Sequence, residues 1–302
     1  MEDNSSVSVV NSIQLFEHYL ETKGNSIKTI KSYKEDINYF HNWLKNRYQR
    51  ESPPVNFITA IDCKDYENFL KNESGLSTAT INRRIVAVRK WSSFLLKTGI
   101  QNADIGKELK TKKFQRQNQI KWLERSEVGQ LFHLIERGNG KNDAKVALHK
   151  AIISILVNAG LRVDEVSKLE IDHFDCVNKV VHVYHGKGDK YRVVPVGENT
   201  IKSVKVWLEF HPQNTRYLFP STRSEKITVR AVEHILKRYS KQLGIEITPH
   251  MLRHTFCKQL ASKGVGLETI ASLAGHNSIE TTRIYVTPSV KELQKAVRSI
   301  EF

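Results

Sequence analysis

The sequence predicts a mainly α fold with a small β-sheet, an α+β class in which an all-helical N-terminal domain precedes a mixed helical domain containing a β-hairpin. Three observations predict it. Apolar residues recur at helical spacing through the first hundred or so positions, and no strand pattern appears before residue 105. β-branched runs flank a glycine turn near 179–196, and helical patterns return from about 199 to the end. At 302 residues the chain also exceeds the roughly 250 at which a single core stops growing, so two domains are expected.

Residues 1 to about 10 are polar and read as disordered. From Ile13, the positions Ile13, Phe16, Tyr19 and Leu20 share one helical face that ends at Gly24. Ser26 caps a second helix that buries Ile30, Tyr33, Ile37, Phe40 and Leu44. Pro53-Pro54 breaks the chain before a shorter helix around Asp62 to Leu70. Ser77 caps a longer helix with Ile81, Ile85, Val88 and Leu95 inward, closed by Gly99. These elements form domain 1–106. Residues 107–121 lack periodicity and carry six basic residues against one acid, among them Lys112, Lys113 and Arg116, so they read as a basic linker suited to lie along a phosphate backbone. Domain 122–302 starts with helices near 125–137, 144–159 and 163–169. The hairpin pairs Lys179–Tyr184 with Tyr191–Val196 around Gly186-Lys187-Gly188-Asp189.

The net charge of +15 favours a polyanionic partner, through attraction to phosphate and release of its counterions. An apolar fraction of 39% supports real cores and excludes a disordered chain. No apolar run approaches the roughly 20 residues that span a bilayer, and the polar, acidic start is no secretory signal. Three distant cysteines without a CxxC pair fit a reduced, cytoplasmic protein. Arg83, Arg84, Arg89 and Lys90 lie off the apolar stripe of their helix, interleaved with Asn82. Such a face is either simply solvated or rests against DNA.

Breaking a phosphodiester requires charge stabilisation on the non-bridging oxygens, an aligned nucleophile and a proton for the leaving oxygen. The chain offers no compact acidic cluster for paired metals. It offers guanidinium forks instead, which match phosphate oxygens two at a time. Arg253 lies three residues after His250, so both can face one way from a helix begun at Thr248-Pro249. Arg162 stands at a helix start, where alone it reads as a surface arginine beside Asp164 and Glu165. His250, His254 and Cys257 have a spacing that raises a zinc reading. Zinc would need a fourth ligand, and Arg253 would point a cation at it. No metal or other cofactor is therefore expected, and His254 and Cys257 read as packing or hydrogen-bonded residues.

Four segments together carry a specific pattern: Gly160-Leu161-Arg162-Val163-Asp164-Glu165-Val166; Gly186-Lys187-Gly188-Asp189-Lys190-Tyr191-Arg192-Val193-Val194-Pro195-Val196; Thr248-Pro249-His250-Met251-Leu252-Arg253-His254-Thr255-Phe256; and Gly275-His276 with Thr281-Thr282-Arg283-Ile284-Tyr285. In order and spacing they resemble the tyrosine recombinases, most closely the Xer-like recombinases and the integrases and resolvases of phages and transposons. The resemblance extends to the N-terminal half, which is similar to that family's core-binding domain. One departure is Ala274, where a bulkier residue commonly precedes the Gly-His pair.

The resemblance implies that Tyr285 attacks phosphorus to leave a 3′-phosphotyrosyl link and a free 5′-hydroxyl. It implies that Arg162 and Arg253 clamp the non-bridging oxygens, that His250 assists proton transfer at the nucleophile, and that His276 hydrogen-bonds the phosphate or orients the site. Lys187, with Lys190 as rival, would protonate the departing oxygen, and Glu165 would support the first arginine. A phosphotyrosyl ester conserves the bond, so resealing needs no ATP, consistent with the lack of a GxxxxGK[ST] loop. The implied partners are a double-stranded recombination site and, on it, a tetramer. The tail spacing Val290, Leu293, Val297 reads either as a helix packing on its own domain or as one exchanged between protomers. A partner recombinase or accessory protein stays open. So do two other functions: a type IB topoisomerase, which would relax DNA lacking any specific site, and a DNA-binding architectural protein that has lost catalysis.

Overall fold

The computed structural model describes residues 7–112, 120–137, 143–184, 191–212, 214–221, 224–276 and 278–286, together with Gln294 and Arg298. The chain forms two compact units, Met1–Asn118 and Gln119–Phe302. Helices dominate, with one small antiparallel sheet, as the apolar spacing predicts. No described helix is long and apolar enough to cross a membrane.

The first unit is built from α1 (Val9–Thr22), α2 (Ile27–Tyr48), α3 (Ala60–Asn72) and α4 (Thr78–Lys97). Ser26 and Ser77 cap α2 and α4 by accepting from the backbone N–H of Thr29 and Thr80, satisfying donors that the first helical turn leaves orphaned. Thr59 and Asp62 make a reciprocal capping box at α3. Phe16, Phe40, Tyr66 and Trp91 fill the core, where the Trp91 Nε1–H finds Ser12 Oγ at 3.2 Å.

Two boundaries differ from the sequence reading. Residues 7–10 are ordered: the Val9 N–H donates to Pro53 O at 3.1 Å, the Val55 N–H donates to Val7 O at 2.8 Å, and Val9 is fully buried. The proline pair that breaks one helix thus offers a carbonyl that anchors the start of another. The first part of the expected linker is likewise folded onto its own unit. Leu109 is 4% exposed, the Lys110 N–H reaches Glu67 at 3.2 Å, and Lys112 exchanges backbone hydrogen bonds with the Asn82 amide at 2.7 and 2.9 Å. Lys113 and Arg116 lie outside the described residues.

The second unit contains α5 (Arg125–Arg137), α6 (Asp143–Asn158) and α7 (Val163–Ser167), then β1 (Phe174–Asp175), β2 (Val180–Val183) and β3 (Arg192–Pro195). After the sheet come α8 (Glu198–Glu209), α9 (Val229–Leu243), α10 (Pro249–Ser262), α11 (Leu267–Ala274) and α12 (Glu280–Val286). Ala151–Val157 of α6 are buried on every side, so this helix runs through the middle of the core, flanked by α8 and α10. The hairpin pairs β2 with β3 in the register Val181↔Val194 and Val183↔Arg192. β1, which the sequence did not reveal, adds a third antiparallel strand of two residues. The turn holding Lys187 and Lys190 lies outside the described residues.

Candidate active site

α7 opens the site. Arg162 is its N-cap, and Glu165, one turn in, accepts the Arg162 backbone N–H at 2.7 Å and the Arg162 Nη1 at 3.0 Å. From β3, Arg192 lays its guanidinium fork on the same carboxylate, Nη1 to Oε1 and Nη2 to Oε2, both at 2.8 Å. Burial alone would raise the Glu165 pKa. The hydrogen bonds and charge of Arg192, then those of Arg162, outweigh it and hold the carboxyl below its usual range.

Three successive carbonyls at the end of α11 complete this arginine cluster. Leu273 O accepts from Arg192 Nε at 3.1 Å, Ala274 O from Arg253 Nη2, and Gly275 O from Arg162 Nη2 at 2.6 Å. The last carbonyls of a helix lack intrahelical donors and carry the negative end of its dipole, so they are natural acceptors for cations. Gly275 makes the geometry possible. It caps α11 with φ +64°, and a Cβ there would meet Arg192 Nη1 at 2.9 Å. At Gly160, φ is +62° and a Cβ would strike the Phe256 ring at 2.2 Å. The carbonyl of Gly160 accepts Arg253 Nη1 at 2.6 Å.

α10 carries the rest. The Thr248 side chain caps it, and Pro249 occupies its first turn, where no N–H is missed. Arg253 is 3% exposed; burial, then the nearby Arg162 charge, pushes its pKa down to about 10, which leaves it cationic at neutral pH. The His250 and His254 rings, one turn apart, make an edge-to-face contact with centroids 4.1 Å apart. Tyr285 on α12 is 2% exposed, within a cluster of Phe256, Cys257, Ile270 and Ala274, and its hydroxyl is hydrogen-bonded to His254 Nδ1. Burial raises the pKa of this phenol, and the neighbouring Cys257 adds to the rise. The His276 ring lies nearly parallel to that of Tyr285 at 6.3 Å, held by Thr282 Oγ1 at 2.9 Å from its Nδ1.

All three imidazoles are pushed toward the neutral form. Burial comes first for each; Arg253 and Arg162 then act on His250, whose edge is open to solvent. For His254 the further causes are His250, Arg253 and His276, giving about 4. For His276 they are Arg253, Arg162, Arg192 and His250, again giving about 4. The site therefore presents fixed guanidinium charge beside neutral rings able to accept protons. Among the described residues no group of three His, Cys, Asp or Glu could hold a metal. His254 Nδ1 faces the Tyr285 hydroxyl.

The structure thus brings together Arg162, Glu165, His250, Arg253, His276 and Tyr285. Lys187 lies outside the described residues. Sequence reasoning missed Arg192 and the contact of His254 with Tyr285. Arg192 was legible as an arginine two residues from buried Val194, hence on the inward face of a strand, where a guanidinium needs a carboxylate. The expected DNA-facing set divides. Arg89 and Lys90 are exposed. Arg83 donates to buried Asp36 at 2.7 Å and to Ser32. Arg84 has a different role from the one expected: its side chain is 14% exposed, stacked 3.2 Å over the Tyr39 ring and 3.7 Å from Asp36. Both arginines face the buried Asp36 carboxyl, yet burial outweighs them and holds its pKa above the usual range.

The sequence pattern of the Phage integrase family matches residues 121–292, and that of the Phage integrase, N-terminal SAM-like domain matches residues 13–99. The chain is 32% identical to tyrosine recombinase XerA of Thermococcus kodakarensis, over 94% of this chain and 93% of that protein. It is 28% identical to the TnP I resolvase of Bacillus thuringiensis, over 92% of this chain and 96% of that protein. The crystal structure of XerH site-specific recombinase bound to palindromic difH substrate, a post-cleavage complex, superposes with a TM-score of 0.73 at 25% identity, covering 96% of this chain and 84% of that one.

Proposed function

The chain belongs to the phage integrase family of tyrosine recombinases, and from that premise we propose how its own residues carry out the reaction. It is a tyrosine-type site-specific recombinase that acts on a DNA recombination site. In our reading Tyr285 attacks the scissile phosphorus, the bond to the 5′-oxygen breaks, and a 3′-phosphotyrosyl link stores the bond until another 5′-hydroxyl reseals it. The observation carrying this reading is the position of the Tyr285 hydroxyl on His254, in the same site as the arginines gathered at Glu165 and the end of α11. Arg162, with its side chain 31% exposed, meets the non-bridging oxygens from the open side, and buried Arg253 supports them from within. Lys187 remains our choice for the acid at the leaving oxygen, on its motif alone.

The test is a nicked DNA carrying the recombination site, from which the cleaved fragment diffuses away. A covalent protein–DNA complex is expected on a denaturing gel and should form equally in saturating EDTA. Loss in EDTA that magnesium restores would instead favour a metal nuclease. We further propose that four protomers assemble on two duplexes through exchange of the tail. Removing residues 287–302 should then preserve binding to one duplex while the slow-migrating synaptic complex disappears from native gels. A synaptic complex that persists without the tail would refute the exchange.

A further inference from the structure

We propose that His254 is a catalytic residue: its Nδ1 takes the phenolic proton of Tyr285 as that oxygen bonds to phosphorus, and returns it when the strand is resealed. This rests on the reading of Tyr285 as nucleophile, and it gives to His254 the proton transfer at the nucleophile that the resemblance implies for His250.

The geometry selects His254 among the groups around the phenol. His276 Nδ1 is engaged by Thr282, and its ring lies parallel to the phenol rather than end-on. Arg253 carries no acceptor. The Cys257 thiol also hydrogen-bonds the Tyr285 hydroxyl, but it is buried and pushed toward its protonated form, and its sulfur is a weak acceptor. His254 Nδ1 is hydrogen-bonded to the reacting oxygen itself. With the ring neutral in the free site and Tyr285 holding its proton, the tautomer protonated at Nε2 is the one in which the hydroxyl donates and Nδ1 accepts. This is the ground-state form of the transfer that attack requires.

The surroundings suit the timing. The cations and rings facing His254 are His250 and Arg253 on α10 and His276 beyond α11. Burial first, and these neighbours after it, keep the ring unprotonated in the free site. A phosphodiester brings negative charge that favours imidazolium, so the proton affinity of His254 rises as the phenol must lose its proton. In the balanced step the Tyr285 O–P bond forms, the P–O5′ bond breaks, the phenolic proton moves to His254, and the 5′-oxygen takes a different proton from the acid on the leaving side.

The experiment is single-turnover cleavage by His254→Gln from about pH 6 to 9, on the nicked substrate and on its 5′-bridging phosphorothiolate, whose sulfur departs without a proton. Cleavage should slow by about 10² to 10⁴. It should also acquire a rise of about tenfold per pH unit, as the phenol must ionise unaided, where the wild type is flat. The phosphorothiolate should not restore it. A rate within a few-fold of wild type, a faster rate, rescue by the phosphorothiolate, or a loss with an unchanged pH profile would each overturn the inference. Should the Gln variant melt early, His254→Asn is read the same way. Tyr285→Phe runs alongside: a covalent complex that survives in it defeats the nucleophile reading, whereas a flat His254→Gln profile defeats only the present inference.

Discussion

Replacing Tyr285 with Phe is expected to abolish covalent capture of the nicked substrate, by roughly 10⁵ or more, the scale on which loss of a catalytic nucleophile acts. Binding to the same DNA should be unchanged within about twofold, because the cationic surface responsible for non-specific affinity is untouched. The substitution removes one oxygen and keeps the ring in its apolar setting of Phe256, Cys257, Ile270 and Ala274. The cost to the fold is the loss of the phenol's hydrogen bonding to His254 and Cys257, about 1–3 kcal/mol if no water replaces it. A denaturing gel reads the first effect and a gel shift the second. Since the chain has ten tyrosines, a covalent complex that persists in the variant would move the nucleophile to another tyrosine and sink the site assignment.

How much of this was legible beforehand depended on whether local chemistry or distant packing decided each feature. Ser26 and Ser77 announce helix starts through their own side chains, and the structure caps α2 and α4 with them. The paired β-branched runs announce β2 and β3 in the same local way. β1 was hidden because a two-residue strand has no periodicity and exists only through its pairing with Val180 and Val181. Val9 was hidden for a similar reason: what orders it is the Pro53 carbonyl, more than forty positions away. Arg162, Arg253, His276 and Tyr285 stood in motifs. What connects the arginines, the carbonyls at 273–275, is backbone, and backbone leaves no mark on a residue pattern.

Glu165→Gln should be the most destabilising conservative change at the site. The carboxylate takes three guanidinium hydrogen bonds and one backbone N–H, and is 5% exposed. An amide of the same shape removes the only carboxylate described in that cluster and turns an N–H₂ toward two cations. Breaking a buried ion pair from one side costs about 3–5 kcal/mol, which in a unit of this size lowers the melting temperature by on the order of 10 °C. The pH dependence has a definite sign. The folded pKa lies below the ordinary value of 4.5, so the stabilisation is fully present above about 4.5 and is lost as pH falls through the depressed folded value. Thermal melts from neutral pH into acid should show that loss in the wild type and its absence in Glu165→Gln. Cleavage should fall as well, because Arg162 and Arg192 are aimed by this carboxylate before any phosphate arrives. Arg192→Gln should reproduce part of both effects, and the double variant should cost less than the two singles added, since each single change takes from the other side chain its bidentate partner. A Glu165→Gln protein that melts with the wild type at neutral pH would mean that the carbonyls of α11 hold the arginines by themselves.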